Sequence, residues 1–238
     1  MDNNDLTESL GETILNNQAE IAIDWATFTV DKILESKEML QIPIVNTIVG
    51  IYKISKSLFD FQKFEFIVEF LNGLNNNTIS KEKLSQMKEL YTNNNVRFKE
   101  DMKRLVVILS NSIEKEQSRC LGKIFRAMIN QDINYQQYLE LSNLNMQLTL
   151  SDYKILKDEF NDLKKIVPYN DKYSHLVGLG FVIKEFELDV GNIKIEEDYG
   201  QTIIPPIIKH DYYCVLSEVG KIFKRIICNN FNEEKIIS

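Results

Sequence analysis

Metal and nucleophilic chemistry draw first on histidine and cysteine, and this chain of 238 residues holds two of the former and three of the latter. His210, Cys214 and Cys228 form its one loose His and Cys grouping, but their spacing fits no tetrahedral zinc pattern. Cys214 and Cys228 are expected instead as small apolar side chains in a strand and a helix. Cys120 shares an apolar helical stripe with Leu121, Ile124 and Phe125, which predicts a buried, inert thiol. His175 has no nucleophile motif beside it and is expected to be solvated or to cap a helix. Glu185, Glu187 and Asp189 alternate along one strand face, while Glu196, Glu197 and Asp198 read as a solvated turn with at most weak affinity for a hard cation. Gly178 and Gly180 lack the further glycine and lysine positions of a phosphate loop. No catalytic residue, cofactor-binding residue or metal ligand is therefore assigned, no cofactor is implied, and the chain is not read as an enzyme.

The elements that would position any other site are helical over most of the length. Apolar residues make up 44% of the chain, ample for a sizeable core. Leu10, Ile14, Ile21, Trp25 and Phe28 fall on one face of an early helix. Pro43 predicts a break, with a new helix just beyond it that is apolar on most sides through Ile44, Val45, Ile48, Val49, Ile51 and Tyr52. An amphipathic helix over Phe59 to Leu71 follows, ended by Gly73 and the Asn75 to Asn77 run. Ser80 is placed to cap a helix reaching about Tyr91. Met102, Leu105, Val106, Leu109 and Ile113 describe one stripe; Cys120, Leu121, Ile124, Phe125, Met128 and Ile129 describe a second. Asn134 with Gln137 forms a capping box opening a helix that carries Tyr138, Leu141, Leu144 and Leu148.

Around Pro168 the apolar period shortens from helical towards two. The boundary between domains is placed at residue 150, giving a helical domain over 1–150 and a second over 151–238, because Ser151 opens a helix with Tyr153, Leu156, Phe160 and Leu163 inward. A strand over Glu185 to Val190 alternates Phe186, Leu188 and Val190 with acidic residues. Gly191-Asn192 supplies a two-residue turn, and Ile193 and Ile195 resume the alternation. A short strand at Tyr212 to Leu216 leads to a final helix capped by Ser217. Helix, short helix around Ser174 to Leu179, hairpin, strand and helix together predict a winged-helix-like α+β module after a mainly α body.

The formal net charge of −7 opposes attraction to phosphates or anionic lipid. Residues 151–238 alone carry 12 Lys and Arg against 15 Asp and Glu, net −3. Lys172 is the one lysine in the segment a winged module would use to read DNA. Only a basic edge assembled from Lys164, Lys165, Lys172, Lys221, Lys224 and Arg225 would reverse that expectation. The most apolar window, Leu40 to Ile54, is shorter than the ~20 residues that cross a bilayer. An odd number of cysteines and an N-terminus without a basic stretch and apolar run predict a cytoplasmic protein.

The run Gln117-Ser118-Arg119-Cys120-Leu121-Gly122, its continuation Lys123 to Ile129, the helix start Ile133-Asn134-Tyr135 and the later Tyr213 to Gly220 resemble the bacterial abortive-infection alpha-type family. The resemblance implies a helical body with a winged-helix-like end and an association with phage defence, and it carries over no catalytic position. The function expected is a cytoplasmic interaction protein of phage defence or prophage biology that binds another protein. A membrane-acting effector and a winged-helix transcriptional regulator are the alternatives. Partner, trigger and oligomeric state are not legible.

Overall fold

The computed structural model describes residues 3–15, 36–55, 58–74, 79–190 and 208–228. Among these the chain is mainly helical, with one small antiparallel sheet near its C-terminal end. It divides into two compact units, one extending to Leu150 and the other covering Ser151–Cys228. No helix among the described residues is long and apolar enough to cross a membrane.

The first unit contains α1 (Asn3–Leu15), a 3-10 turn at Met39–Gln41, α2 (Pro43–Ser55), α3 (Leu58–Leu74), α4 (Lys81–Asn93), α5 (Asn95–Ser110), α6 (Lys115–Ile129) and α7 (Tyr135–Asn145). Leu10 and Ile14 of α1 are buried as expected. The rest of that predicted face, Ile21, Trp25 and Phe28, lies outside the described residues. Helix α2 starts on Pro43 itself, where the missing amide proton costs no helical bond. Ile44, Val45, Ile48 and Val49 are buried, whereas Ile51 and Tyr52 are half-buried.

Side chains close the helix starts as their spacing predicts. The Ser80 hydroxyl accepts from the Lys83 amide at 3.4 Å. Asn134 and Gln137 exchange two hydrogen bonds of 2.9 Å across the first turn of α7. Ile113 departs from its stripe: α5 ends at Ser110, the phase is lost, and Ile113 is 75% exposed.

Helices α3 and α6 make the most extensive packing in this unit. Phe70 meets Phe125 edge-on at 6.0 Å, and Phe125 meets Tyr138 at 5.6 Å. Gly73 does not end α3; the helix continues through it to Leu74. Its role is close approach, because a Cβ on Gly73 would lie 1.9 Å from the Arg119 carbonyl oxygen. Gly122 is its counterpart on α6, where a Cβ would lie 2.1 Å from the Phe70 carbonyl oxygen. The buried Arg126 donates to the Gly73 carbonyl at 3.0 Å beside this crossing.

The second unit opens within α8 (Leu150–Lys154), which widens into a π turn over Ile155–Glu159 and closes at Phe160. It continues through β1 (Val167–Pro168), a 3-10 turn (Asp171–Tyr173), α9 (Ser174–Gly178), β2 (Val182–Val190), β3 (Ile208–Leu216) and α10 (Glu218–Cys228). The strand order is β1–β3–β2, with Val182 opposite Leu216 and Val190 opposite Ile208. Pro168 sits in a strand at the sheet edge, where its missing donor is tolerated. Gly180, at φ 78°, ends α9: the Phe181 amide donates to Leu176 O and the Gly180 amide to Val177 O, both at 3.0 Å. The Ser217 hydroxyl accepts from the Gly220 amide at 3.0 Å and caps α10. Tyr153, Phe160, Phe181 and Phe223 fill the core between helices and sheet.

Strand β2 starts three residues before the alternation that predicted it and pairs with Ile208–Leu216 along its whole length. Phe186, on the apolar side of the predicted alternation, is 61% exposed, because the strand pair runs on past the buried Val182, Cys214 and Leu216. The predicted turn at Gly191-Asn192 and the strand residues Ile193 and Ile195 lie outside the described residues.

Candidate functional site: a cleft in the helical body

A cleft of roughly 430 Å³ opens between α4, the start of α5, the end of α6 and the start of α7. Two tight helix joints shape it. Asn94 ends α4 and caps α5 in one step, its side-chain oxygen accepting from the Arg97 amide at 3.1 Å. On the other side α6 ends at Asn130, and Gln131 takes a left-handed φ of 61°. The Gln131 amide donates to Met128 O at 3.0 Å and the Asp132 amide to Ala127 O at 2.9 Å, a closure that usually places glycine at this position. Here a glutamine occupies it, and its side chain donates to Gln86 Oε1 at 3.3 Å. Met87, Leu90, Met128, Ile129 and Ile133 supply apolar lining, and Leu90 is 69% exposed.

Behind the wall lies a fixed polar cluster centred on Asp101, which is only 3% exposed. Tyr91 donates to one carboxylate oxygen at 3.1 Å, and Tyr135 donates to the other at 2.5 Å. Arg97 and Arg104, one helical turn to either side of Asp101 on α5, approach to 3.8 and 4.0 Å. Arg104 also donates to the Tyr135 hydroxyl at 3.1 Å. The Arg97 guanidinium lies over the Tyr135 ring, 4.4 Å from its centroid. Burial, then the negative Asp101, push the Tyr91 phenol well above the usual tyrosine range. Burial, then the hydrogen bond to Asp101, raise Tyr135 as well. Neither phenol is poised to lose a proton, and both Asp101 oxygens already accept hydrogen bonds. The cluster is built to hold Arg97 and Tyr135 in place at the cleft wall.

The sequence shows one part of this site: Arg97, Asp101 and Arg104 stand at helical spacing on α5. Tyr91 and Tyr135 arrive from other helices, and nothing local marks them as partners of Asp101.

Among the residues weighed first for chemistry, the described side chains of Cys120, Cys214, Cys228, His175 and Glu185 are not brought together. Cys120 and Cys214 are fully buried, and burial raises the Cys214 thiol. Cys228 ends α10 and is half-buried. No group of three or more His, Cys, Asp or Glu among the described residues is arranged to hold a metal ion. His175 is exposed, as expected, and its Nδ1 also lies 2.8 Å from an oxygen of the buried Asp152, tying α9 to α8. Glu185 is exposed on β2, and Glu196, Glu197 and Asp198 lie outside the described residues. Compared with family models, with curated proteins and with solved structures, the chain matches none. The chemistry of the cleft therefore rests on its own residues.

Proposed function

We propose that this chain is a protein-binding component of bacterial phage defence or prophage biology, acting in the cytoplasm through the cleft of its helical body. One observation carries the reading: the cleft pairs an open, apolar lining with a rigidly braced arginine and tyrosine, an arrangement suited to holding a side chain rather than to transferring a proton. The resemblance of residues 117–129, 133–135 and 213–220 to abortive-infection alpha-type proteins supplies the biological setting.

The order α8, β1, α9, hairpin and α10, with a glycine closing the short helix, supports a winged-helix-like second module. Its lysines favour packing over reading DNA. Lys172 is paired with Glu159 at 2.6 Å and Lys221 with Glu218 at 2.6 Å, while the buried Lys224 donates to Lys157 O at 2.7 Å. Three members of the basic edge that would attract phosphates are thus already engaged. The buried faces of α2 and α3 weigh against their release into a membrane.

The test is affinity capture by the full chain from phage-infected and uninfected bacteria, with Leu90→Ser as the control. A protein retained by the wild type and lost by L90S supports the reading. Equal recovery on both would remove the cleft from the account, and submicromolar duplex binding with a steep salt slope would replace it with a regulator.

A further inference from the structure

We infer that the cleft is selective for an acidic polypeptide segment, one that seats an apolar side chain in the cleft and places a carboxylate on Arg97. The inference rests on the protein-binding reading and adds the chemistry of the partner. The chain holds 35 acidic and 28 basic residues, yet the residues lining the cleft include Lys83 and Arg97 and no Asp or Glu. Asp101, against the wall, is buried, accepts from two phenols and has two guanidinium groups within 4.0 Å. Lys83 Nζ donates to the Asn130 carbonyl, which places its charge at the same rim.

Arg97 is presented for recognition. Its Nε lies 3.8 Å from an Asp101 oxygen and its guanidinium carbon lies over the Tyr135 ring, while its side chain remains 53% exposed. The terminal nitrogens are then the edge a carboxylate meets, in the two-bond geometry that guanidinium groups favour. Cation and apolar lining lie side by side, so an acidic residue a few positions from a leucine- or phenylalanine-type anchor would satisfy both.

Gln131 points to a polypeptide rather than to a small carboxylate. A left-handed backbone strains a residue with a Cβ, and glycine would avoid that strain. The glutamine there donates to Gln86 at the cleft, and the two amides supply donors and acceptors of the kind that bond an extended main chain.

The experiment selects a display library of random 12-residue peptides on the full-length protein, on R97E, on R97Q and on L90S, each checked for unchanged helicity by circular dichroism. Wild type should enrich peptides with an apolar anchor and an Asp or Glu within a few positions. R97Q should lose the acidic bias, R97E should turn it towards Lys and Arg, and L90S should enrich nothing above background. The leading peptide, made synthetically, should bind R97Q about tenfold more weakly than wild type, as expected for loss of a charged hydrogen-bonded pair. If R97E proves unfolded, R97Q and the loss of affinity in high salt carry the same decision. Enrichment of apolar peptides with no charge bias, or with a basic one, would overturn the acidic inference and leave the protein-binding reading standing. Enrichment indifferent to L90S would overturn both.

Discussion

A methyl group added at Gly122 should destabilise the helical body far more than the same methyl added at Gly50. At Gly122 the new Cβ would lie 2.1 Å from the Phe70 carbonyl oxygen and 2.8 Å from the Leu74 amide nitrogen. Both are backbone atoms of α3, so no side chain can swing aside. Ordinary contact begins near 3.4 Å, and α3 and α6 must therefore part by roughly 1 Å. A gap of that size forfeits about a quarter to a half of the dispersion energy of each contact across the crossing. Phe70, Leu71, Leu121 and Phe125, all fully buried, lie on the two helices beside it. Overpacking against rigid backbone costs about 3 kcal/mol, the upper end of its usual range, and the better helix propensity of alanine returns about 1. The net loss is about 2 kcal/mol, which for a chain of this length lowers Tm by roughly 4–8 °C. Gly50, within α2, has nothing within 4 Å of its would-be Cβ, so G50A should gain about 0.5–1 kcal/mol. Thermal unfolding followed by circular dichroism, with urea titration as a second measure, compares the pair. Two shifts of the same sign, or a G122A protein within about 0.5 kcal/mol of wild type, would refute the close-crossing account.

Gln131→Gly should stabilise the fold by about 0.5–1 kcal/mol, the left-handed strain relieved less the entropy of an added glycine, while weakening binding of a cleft peptide; loss of stability on urea titration would show that the glutamine amide serves the fold instead. Hydrogen bonds from Lys172 and then Tyr173 hold the Glu159 carboxyl below its ordinary value of 4.5. A depressed folded value contributes stability that is present above pH 4.5 and lost as the pH falls through that lower value, so the gap in urea midpoint between wild type and E159Q should narrow from pH 6 to pH 3. Of the three thiols, only Cys228 should react readily with a thiol reagent in the folded protein, because Cys120 and Cys214 are fully buried; mass mapping after brief labelling reads this directly.

Much of the helical body is legible in the sequence because its signals are local. The spacing of Met102, Leu105, Val106 and Leu109, the capping box of Asn134 and Gln137, and the cap at Ser80 each depend on residues within a turn or two. Gly73 misleads because a glycine after an apolar run reads the same whether it ends a helix or admits a neighbour. The neighbour, Arg119, lies far along the chain. Phe186 misleads because alternation assigns a strand residue to a face and does not say how far the core beneath that face extends. The cleft is the least legible feature. Tyr91, Asp101 and Tyr135 come from three helices, and the strain at Gln131 is a backbone property that no side-chain pattern displays.

Strand β2 has a further consequence for the protein as a solute. In the described sheet its nine residues lie at the outer position, bonded on one side to β3, and both Ile183 and Phe186 are exposed along it. Where no further strand covers it, such an edge is a template on which a second copy can add its own strand. Lys184 and Glu185 carry charge at exposed positions of this strand, and the sequence continues with Glu187 and Asp189. Mutual repulsion between like-charged molecules keeps such edges apart, and it vanishes as the net charge approaches zero. The isoelectric point is near 5.1, so concentrated solutions taken slowly from pH 7 to pH 5 should turn cloudy before they unfold. Replacing Ile183 or Phe186 with lysine should keep them clear.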